Sequence, residues 1–285
     1  MGAWIRMIRL RLEVLLAPRR RTSRIPEIIQ LTGGYMENST AALRGKTALV
    51  TGAARRLGRA IALALAGEGA HVVVHYNRSR EQAETLCHEV EALGVSAWAI
   101  RAELAEADQT ERLFEEATSQ AGPIDILINN ASMFERDTVW DATDESVWLN
   151  LRVHAMAPLV LSRRFAEQRR TGHIVNILDT RVTTYDRQHA SYHISKRVMA
   201  TLTRMLALEL APAVAVNAVA PGLVLPPAGQ DDSYLERLAH CNPMNTHGAA
   251  SDVAEAVLFL LRTRFTTGQV LYVDGGYHMK GHMYD

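Results

Sequence analysis

Residues 46–76 read KTALVTGAARRLGRAIALALAGEGAHVVVHY, and the order of patterns in this stretch decides the fold. Lys46 to Val50 is a short apolar strand, and Thr51 to Arg59 is a turn. Ala60 to Glu68, small residues and leucines, predicts a helix closed by Gly69, and Ala70 to Tyr76 predicts a second strand. A strand that runs through a glycine turn into a helix presents backbone N–H groups and a helix N-terminus to an anion, typically a pyrophosphate. Gly52 supplies the tight turn and Gly58 allows the helix to pack closely. A dinucleotide-binding turn ordinarily carries a further glycine between them, and here Arg56 stands in its place.

Outward from this unit the pattern repeats. Helical stretches are predicted near 80–93, 106–120, 144–170, 190–210 and 251–262. Apolar runs lie between them at Val95–Ile100, Ile124–Asn129, His173–Leu178, Val214–Val219 and Gln269–Val273. Near-continuous apolar strands alternating with helices predict an α/β fold, a single doubly wound parallel sheet of Rossmann type with helices on both faces. No linker or repeat interrupts 45–280, so 45–285 is read as one domain.

Composition narrows the function. The 285 residues are 48% hydrophobic and 22% charged with no net charge, which suits a globular chain and gives no general reason to expect nucleic-acid binding. Two cysteines, Cys87 and Cys241, make no disulfide framework and suit a reducing, cytoplasmic setting. No C-x-x-C or clustered His/Cys spacing points to a metal. Residues 1–35 carry seven arginines against Glu13 and Glu27. Trp4, Ile5, Ile8, Leu12, Leu15 and Leu16 could form one helical stripe among them. The extension 1–44 therefore reads as a disordered or targeting arm, or as the product of an upstream start with Met36 opening the functional protein. Arginines interrupt its apolar run, so it is not an integral membrane span.

The second strand ends His75-Tyr76-Asn77-Arg78-Ser79, where an NAD site would place an acid on the adenosine ribose. Arg78, with Arg55 from the turn, suits a 2′-phosphate instead, so the expected cofactor is NADPH. Glu103 and Leu104 end the third strand where side chains could border the adenine. Asn129-Asn130-Ala131-Ser132 ends the fourth, at the sheet edge where ligands sit in open α/β folds. Tyr192 and Lys196, four residues apart, share a helix face. A cation beside a phenol favours the phenolate, so the Tyr192 pKa is expected to fall from roughly 10 towards neutrality, giving a usable proton donor.

In this order, TGAARRLG, NNAS, YHISK, Asn217 to Gly222 and Asp274-Gly275-Gly276 resemble the short-chain dehydrogenases/reductases over about 45–280. The resemblance implies a cofactor site of Gly52, Arg55, Arg56, Leu57, Gly58, Tyr76, Asn77, Arg78, Ser79, Glu103, Leu104, Asn130, Ala131, Ser132, Tyr192, Lys196, Pro221 and Gly222. It also implies a homotetramer joined through the helices at 144–170 and 190–210. Asp179 departs from the wider family, which places a hydroxyl residue there, and His154 stands where the family has a helix asparagine of its lysine–water–asparagine proton relay, either substituting in that relay or simply packing. With Arg56 in the turn, the HY-x-RS run and Phe134 after NNAS, the chain resembles pteridine and dihydromonapterin reductases. That likeness implies a dihydropterin substrate held by Arg56, Ser132, Phe134, Asp179 and Tyr192, with Asp179, Tyr192 and Lys196 as catalytic residues. Leu223 to Leu238 resembles the family's mobile substrate loop.

Chemistry points the same way. A carboxylate is a poor partner for a ketone oxygen that gains negative charge, and a good one for an amino-pyrimidine or a protonated C=N. Three alternatives stand beside this reading. Asp179 could face solvent while Thr180 supplies a hydroxyl. The enzyme could be a carbonyl reductase of a 3-oxoacyl thioester, steroid or sugar ketone. The chain could be a non-catalytic NADP(H)-sensing scaffold.

Overall fold

A computed structural model describes residues 43–227 and 229–280. The expectations for the arginine-rich segment and for Met36 lie outside the described residues. Strands β1 (Thr47–Val50), β2 (His71–Tyr76), β3 (Ala97–Arg101), β4 (Ile126–Asn129), β5 (Gly172–Ile177), β6 (Val214–Pro221) and β7 (Val270–Val273) form one sheet in the order β3-β2-β1-β4-β5-β6-β7. Every pairing is parallel. The strand order reverses between β1 and β4, and in such sheets a crevice opens at the carboxyl ends of the strands there.

Period-two alternation distributes the strand side chains between two apolar layers. Ala48, Val50, Val72 and Val74 face one layer, closed by helices α1 (Arg56–Gly67), α2 (Arg80–Ala92) and α8 (Ala250–Arg262). Leu49 and Val73 face the other, closed by α3 (Ala107–Ala121), α5 (Ala157–Glu167) and α6 (Ala190–Leu210). Ile61 and Leu65 of α1 are fully buried against Val253 and Val257 of α8. Each such side chain contributes roughly 1.5–3 kcal/mol by leaving water.

Two elements differ from the sequence reading. Helix α1 begins at Arg56, four residues earlier than the apolar pattern suggests, because its first turn is polar and lies at the carboxyl edge rather than in the core. The expected helix 144–170 divides into α4 (Asp144–Leu151), a π turn (Arg152–Met156) and α5. The π turn carries His154, and both its ring nitrogens are bonded to neighbouring segments. An extra residue in the turn lets the imidazole point inward without rotating the apolar face of α5 out of the core.

The glycine turn is held from three sides. Thr51 donates its hydroxyl to Ile128 O at 3.2 Å while accepting from the N–H groups of Asn130 and Ala131 at 2.9 and 3.0 Å. Asn130 Nδ2 donates back to the carbonyls of Thr51 and Gly52 at 2.8 and 3.2 Å. Gly52 donates its N–H to His75 Nδ1 at 2.9 Å, so the proton of that ring is on Nε2, 3.1 Å from Ala102 O. Burial holds the His75 pKa down at about 4.

Two residues of this junction, Gly58 and His75, give measurable outcomes. A Cβ at Gly58 would meet Gly52 O, stand 2.5 Å from Asn130 Nδ2 and 2.9 Å from Ala53 Cα. Gly58→Ala should therefore cost about 1–3 kcal/mol by overpacking and weaken NADPH binding, measured by thermal melting and by fluorescence titration. Gly67→Ala meets nothing within 4 Å and should raise the melting temperature slightly. The unfolded His75 imidazole takes a proton near 6.5 and the folded one only near 4. Stability from this group is intact above 6.5 and is lost as pH falls to about 4, by on the order of 2–3 kcal/mol. Melting curves of His75→Gln across that window should fall less steeply than those of the wild type.

Candidate active site

The carboxyl ends of β4, β5 and β6 and the first turns of α1 and α6 surround two adjoining cavities. One, of about 410 Å³, is lined by Arg56, Phe134, Asp179, Arg181, Tyr192 and Tyr234 among others. The other, of about 270 Å³, is lined by Arg55, Leu57, Gly58, Asn130, Ser132, Lys196 and Pro221, and shares Arg56, Asp179, Tyr192, Gly222 and Leu225 with the first.

Asp179 follows β5 and begins a 3-10 turn (Thr180–Val182), which it caps by accepting the Arg181 N–H at 2.7 Å on Oδ1. Its other oxygen accepts the Tyr192 hydroxyl at 2.9 Å. The solvent-facing alternative for Asp179 is thereby overturned. Thr180 is buried and donates its hydroxyl to Asp274, which also takes the N–H groups of Gly276 and His278 at 2.9 and 2.8 Å. The carboxylate, and not the threonine hydroxyl, stands beside the tyrosine.

Lys196 lies one turn beyond Tyr192 on α6, as the spacing requires. It is 2% exposed, donates to Ile177 O at 2.8 Å, and its ammonium is 5.6 Å from the Tyr192 ring centre. Burial lowers its pKa to about 8, with Asp179 opposing that shift. The expected acidification of Tyr192 is not found. Burial pushes the phenol pKa well above its usual value, and the Asp179 charge and hydrogen bond reinforce this. Burial first and the contacting carboxylate second outweigh the Arg181 charge that opposes them.

His154 is fully buried. It accepts the Met133 N–H on Nε2 at 3.1 Å, with Ser132 Oγ at the same distance, so Nδ1 carries the proton and gives it to Ser195 Oγ at 2.7 Å. Ser195 in turn donates to Tyr192 O at 2.7 Å. Burial and the Lys196 charge hold the His154 pKa well below the usual imidazole value. The ring ties the Ser132–Met133 segment to the α6 helix, and neither nitrogen is bonded to Lys196.

Residues read as adenosine contacts lie apart from the two cavities. Asn77 Nδ2 donates to Glu103 Oε2 at 2.6 Å, and Arg101 Nε donates to Asn77 O at 3.2 Å. Arg78 is exposed, and Ser79 opens α2. Tyr76, the last residue of β2, and Leu104, in the turn after β3, pack into the apolar layers. Ala131 packs against Gly52, whose absent side chain leaves room for it.

The edge suits an anionic dinucleotide. Arg55 provides no side-chain cap to α1, whose first turn holds no acid, so the helix N-terminus keeps its positive end for a phosphate. Arg56 sits at φ 55°, the left-handed backbone that the missing glycine would have supplied. Its guanidinium reaches across to Pro226 O at 2.6 Å. Sequence reasoning missed His75, Thr51 and Asp137; the last accepts the N–H groups of Ala190 and Ser191 on its carbonyl and Oδ1, both at 3.2 Å. These are long-range partners with no local motif.

Comparison with known proteins agrees with this geometry. A family model described as enoyl-(acyl carrier protein) reductase matches residues 52–278. The 3-oxoacyl-(acyl-carrier-protein) reductase FabG of Staphylococcus aureus is 35% identical over 249 residues, spanning 82% of this chain and 98% of that protein. FolM alternative dihydrofolate reductase 1 from Brucella canis, solved with NADP, superposes with a TM-score of 0.77 at 33% identity over 85% of this chain and 96% of that one. LugOII, a promiscuous reductase that catalyses keto-reduction at C1 in lugdunomycin biosynthesis, superposes at 0.78 with 32% identity over 83% and 99% of the two chains. With a matching model across most of its length and relatives aligned nearly end to end, the chain belongs to the short-chain dehydrogenase/reductase family.

Proposed function

We propose that this protein is an NADPH-dependent reductase of a dihydropterin, such as dihydromonapterin, dihydrobiopterin or dihydrofolate, yielding the tetrahydro form. The observation that carries the reading is the Asp179 carboxylate hydrogen-bonded to Tyr192 at 2.9 Å. NADP(H) is supported by Arg55 and Arg78, by the absence of an acid after β2, and by NADP in similar solved structures. The FolM structures support the pterin.

When bound, the nicotinamide supplies the hydride. Gly52, Arg55, Leu57 and Gly58 receive the phosphates, Asn130 and Pro221-Gly222 border the cleft, and Lys196 holds the nicotinamide ribose. Asp179 balances a protonated C=N and engages the amino-pyrimidine edge. The C=N carbon takes the hydride and its nitrogen takes a proton delivered through the Tyr192–Asp179 pair and water, so no oxyanion needs a donor. Tyr192 fixes the carboxylate, Phe134 stacks on the ring, and Arg56 and Ser132 line the remaining edge. Apolar Trp148, Ile194, Val198 and Met205 are exposed on α4 and α6, which suits a homotetramer assembled through those helices. The proposed setting is the cytoplasm; among the described residues no helix is long and apolar enough to cross a membrane.

The FabG relatives favour a second reading, reduction of a 3-oxoacyl thioester. The two diverge at residue 179, because a ketone oxygen needs a hydroxyl donor there. NADPH oxidation should be followed with dihydromonapterin, dihydrobiopterin, dihydrofolate, an acetoacetyl thioester and a simple ketone. The pterin reading expects turnover of pterins alone, lost in Asp179→Ser and in Tyr192→Phe. Turnover of ketones alone, unharmed or improved by Asp179→Ser, would establish the ketoreductase instead. Because the Lys196 pKa is near 8, its ammonium is lost on the alkaline side, and NADPH affinity measured by fluorescence should fall as pH rises through that value.

A further inference from the structure

His189 opens the helix that carries Tyr192, yet it does none of the usual work of that position. It makes no capping hydrogen bond, and the N-terminus is capped from elsewhere by Asp137. Its backbone lies in the left-handed region at φ 62°, an uncommon and mildly costly conformation for a residue with a Cβ. Only 7% of the residue is exposed. The compensating contact is a stack. The imidazole lies on the Phe134 ring with centroids 3.9 Å apart and planes 13° from parallel. Phe134 also meets the Tyr192 ring edge-on at 4.7 Å, yet remains 45% exposed at the cavity. Asp186 steadies the imidazole's surroundings, with oxygens 3.8 Å from His189 Nδ1 and 3.1 Å from His193 Nε2.

We infer that His189 is a specificity-determining positioning residue: by covering one face of Phe134 it fixes the ring plane, and the Arg181 guanidinium, 5.8 Å from the ring centre, borders the space left for a flat heterocycle. The inference rests on the proposed stacking of substrate on Phe134. A ring held on one side cannot swing aside for a flexible acyl chain, so the device selects planar substrates. A well-placed aromatic pair contributes about 0.5–1.5 kcal/mol, up to roughly tenfold in affinity.

The test compares His189→Asn, which tolerates the left-handed backbone but cannot stack, with His189→Phe, which can, and with Phe134→Leu. KM and kcat are measured for dihydrobiopterin and for an acetoacetyl thioester, with melting temperatures to establish folding. The expected result is a rise of about five- to tenfold in the pterin KM for His189→Asn, a kcat changed far less, and recovery in His189→Phe. A pterin KM unmoved by His189→Asn but raised by Phe134→Leu overturns this inference and leaves the stacking intact. A pterin KM unmoved by Phe134→Leu, or no pterin turnover at all, overturns the stacking and this inference with it. Equal losses on both substrates, not recovered by His189→Phe, show a purely structural role and also overturn it.

Discussion

Strands that end at an open edge leave backbone groups without partners, and the cost of burying them unpaired is what organises the upper surface of this protein. The junction of β1, β4 and α1 meets that constraint with side chains. Thr51, Asn130 and His75 between them satisfy the N–H and C=O groups that the glycine turn releases from the ladder. Once those bonds are made, Gly58 has no room for a side chain and the start of α1 has a single position. Everything proposed for the cofactor depends on that position, because it aims the helix N-terminus.

The same economy recurs around Tyr192. Asp179 ends β5, caps the next turn and receives the phenol. His154 joins the β4 loop to α6 through one neutral ring. Asp137 and His189 dock that loop on the helix from either side of its N-terminus. Each side chain answers a local backbone need and a long-range one together.

The fold was largely legible. Apolar runs at β1, β2, β4 and β5 are too uniform for surface strands, and their spacing admits a helix between each pair. The cofactor edge was legible where glycine and arginine carry the chemistry, and Asp179 was visible because it stands where a hydroxyl is expected. The tyrosine's protonation was not. The sequence puts Lys196 one turn from Tyr192, but only the folded chain shows the ammonium spent on Ile177 O and the phenol spent on the carboxylate. Tyr76 and Leu104, expected at the cofactor edge, have side chains packed in the apolar layers, and which face of a strand end looks at the cleft depends on the twist of the whole sheet. Spacing likewise could not reveal the π turn, which differs from an α-helix by one residue in five.

That π turn has a consequence for how such a site arises. One residue in a regular helix corresponds to about 100° of rotation. The π turn takes up one residue beyond the α-helical count, so α4 and α5 keep their own faces on either side of it. Deleting one codon within 152–156 would restore an ordinary helix with that phase unchanged, whereas the same deletion within α4 or α5 would swing one side by more than a quarter turn. The bulge is thus a place where this helix can gain or lose a residue without setting its two halves against each other. What such a deletion removes is the inward-pointing imidazole, and with it the tie between the β4 loop and α6.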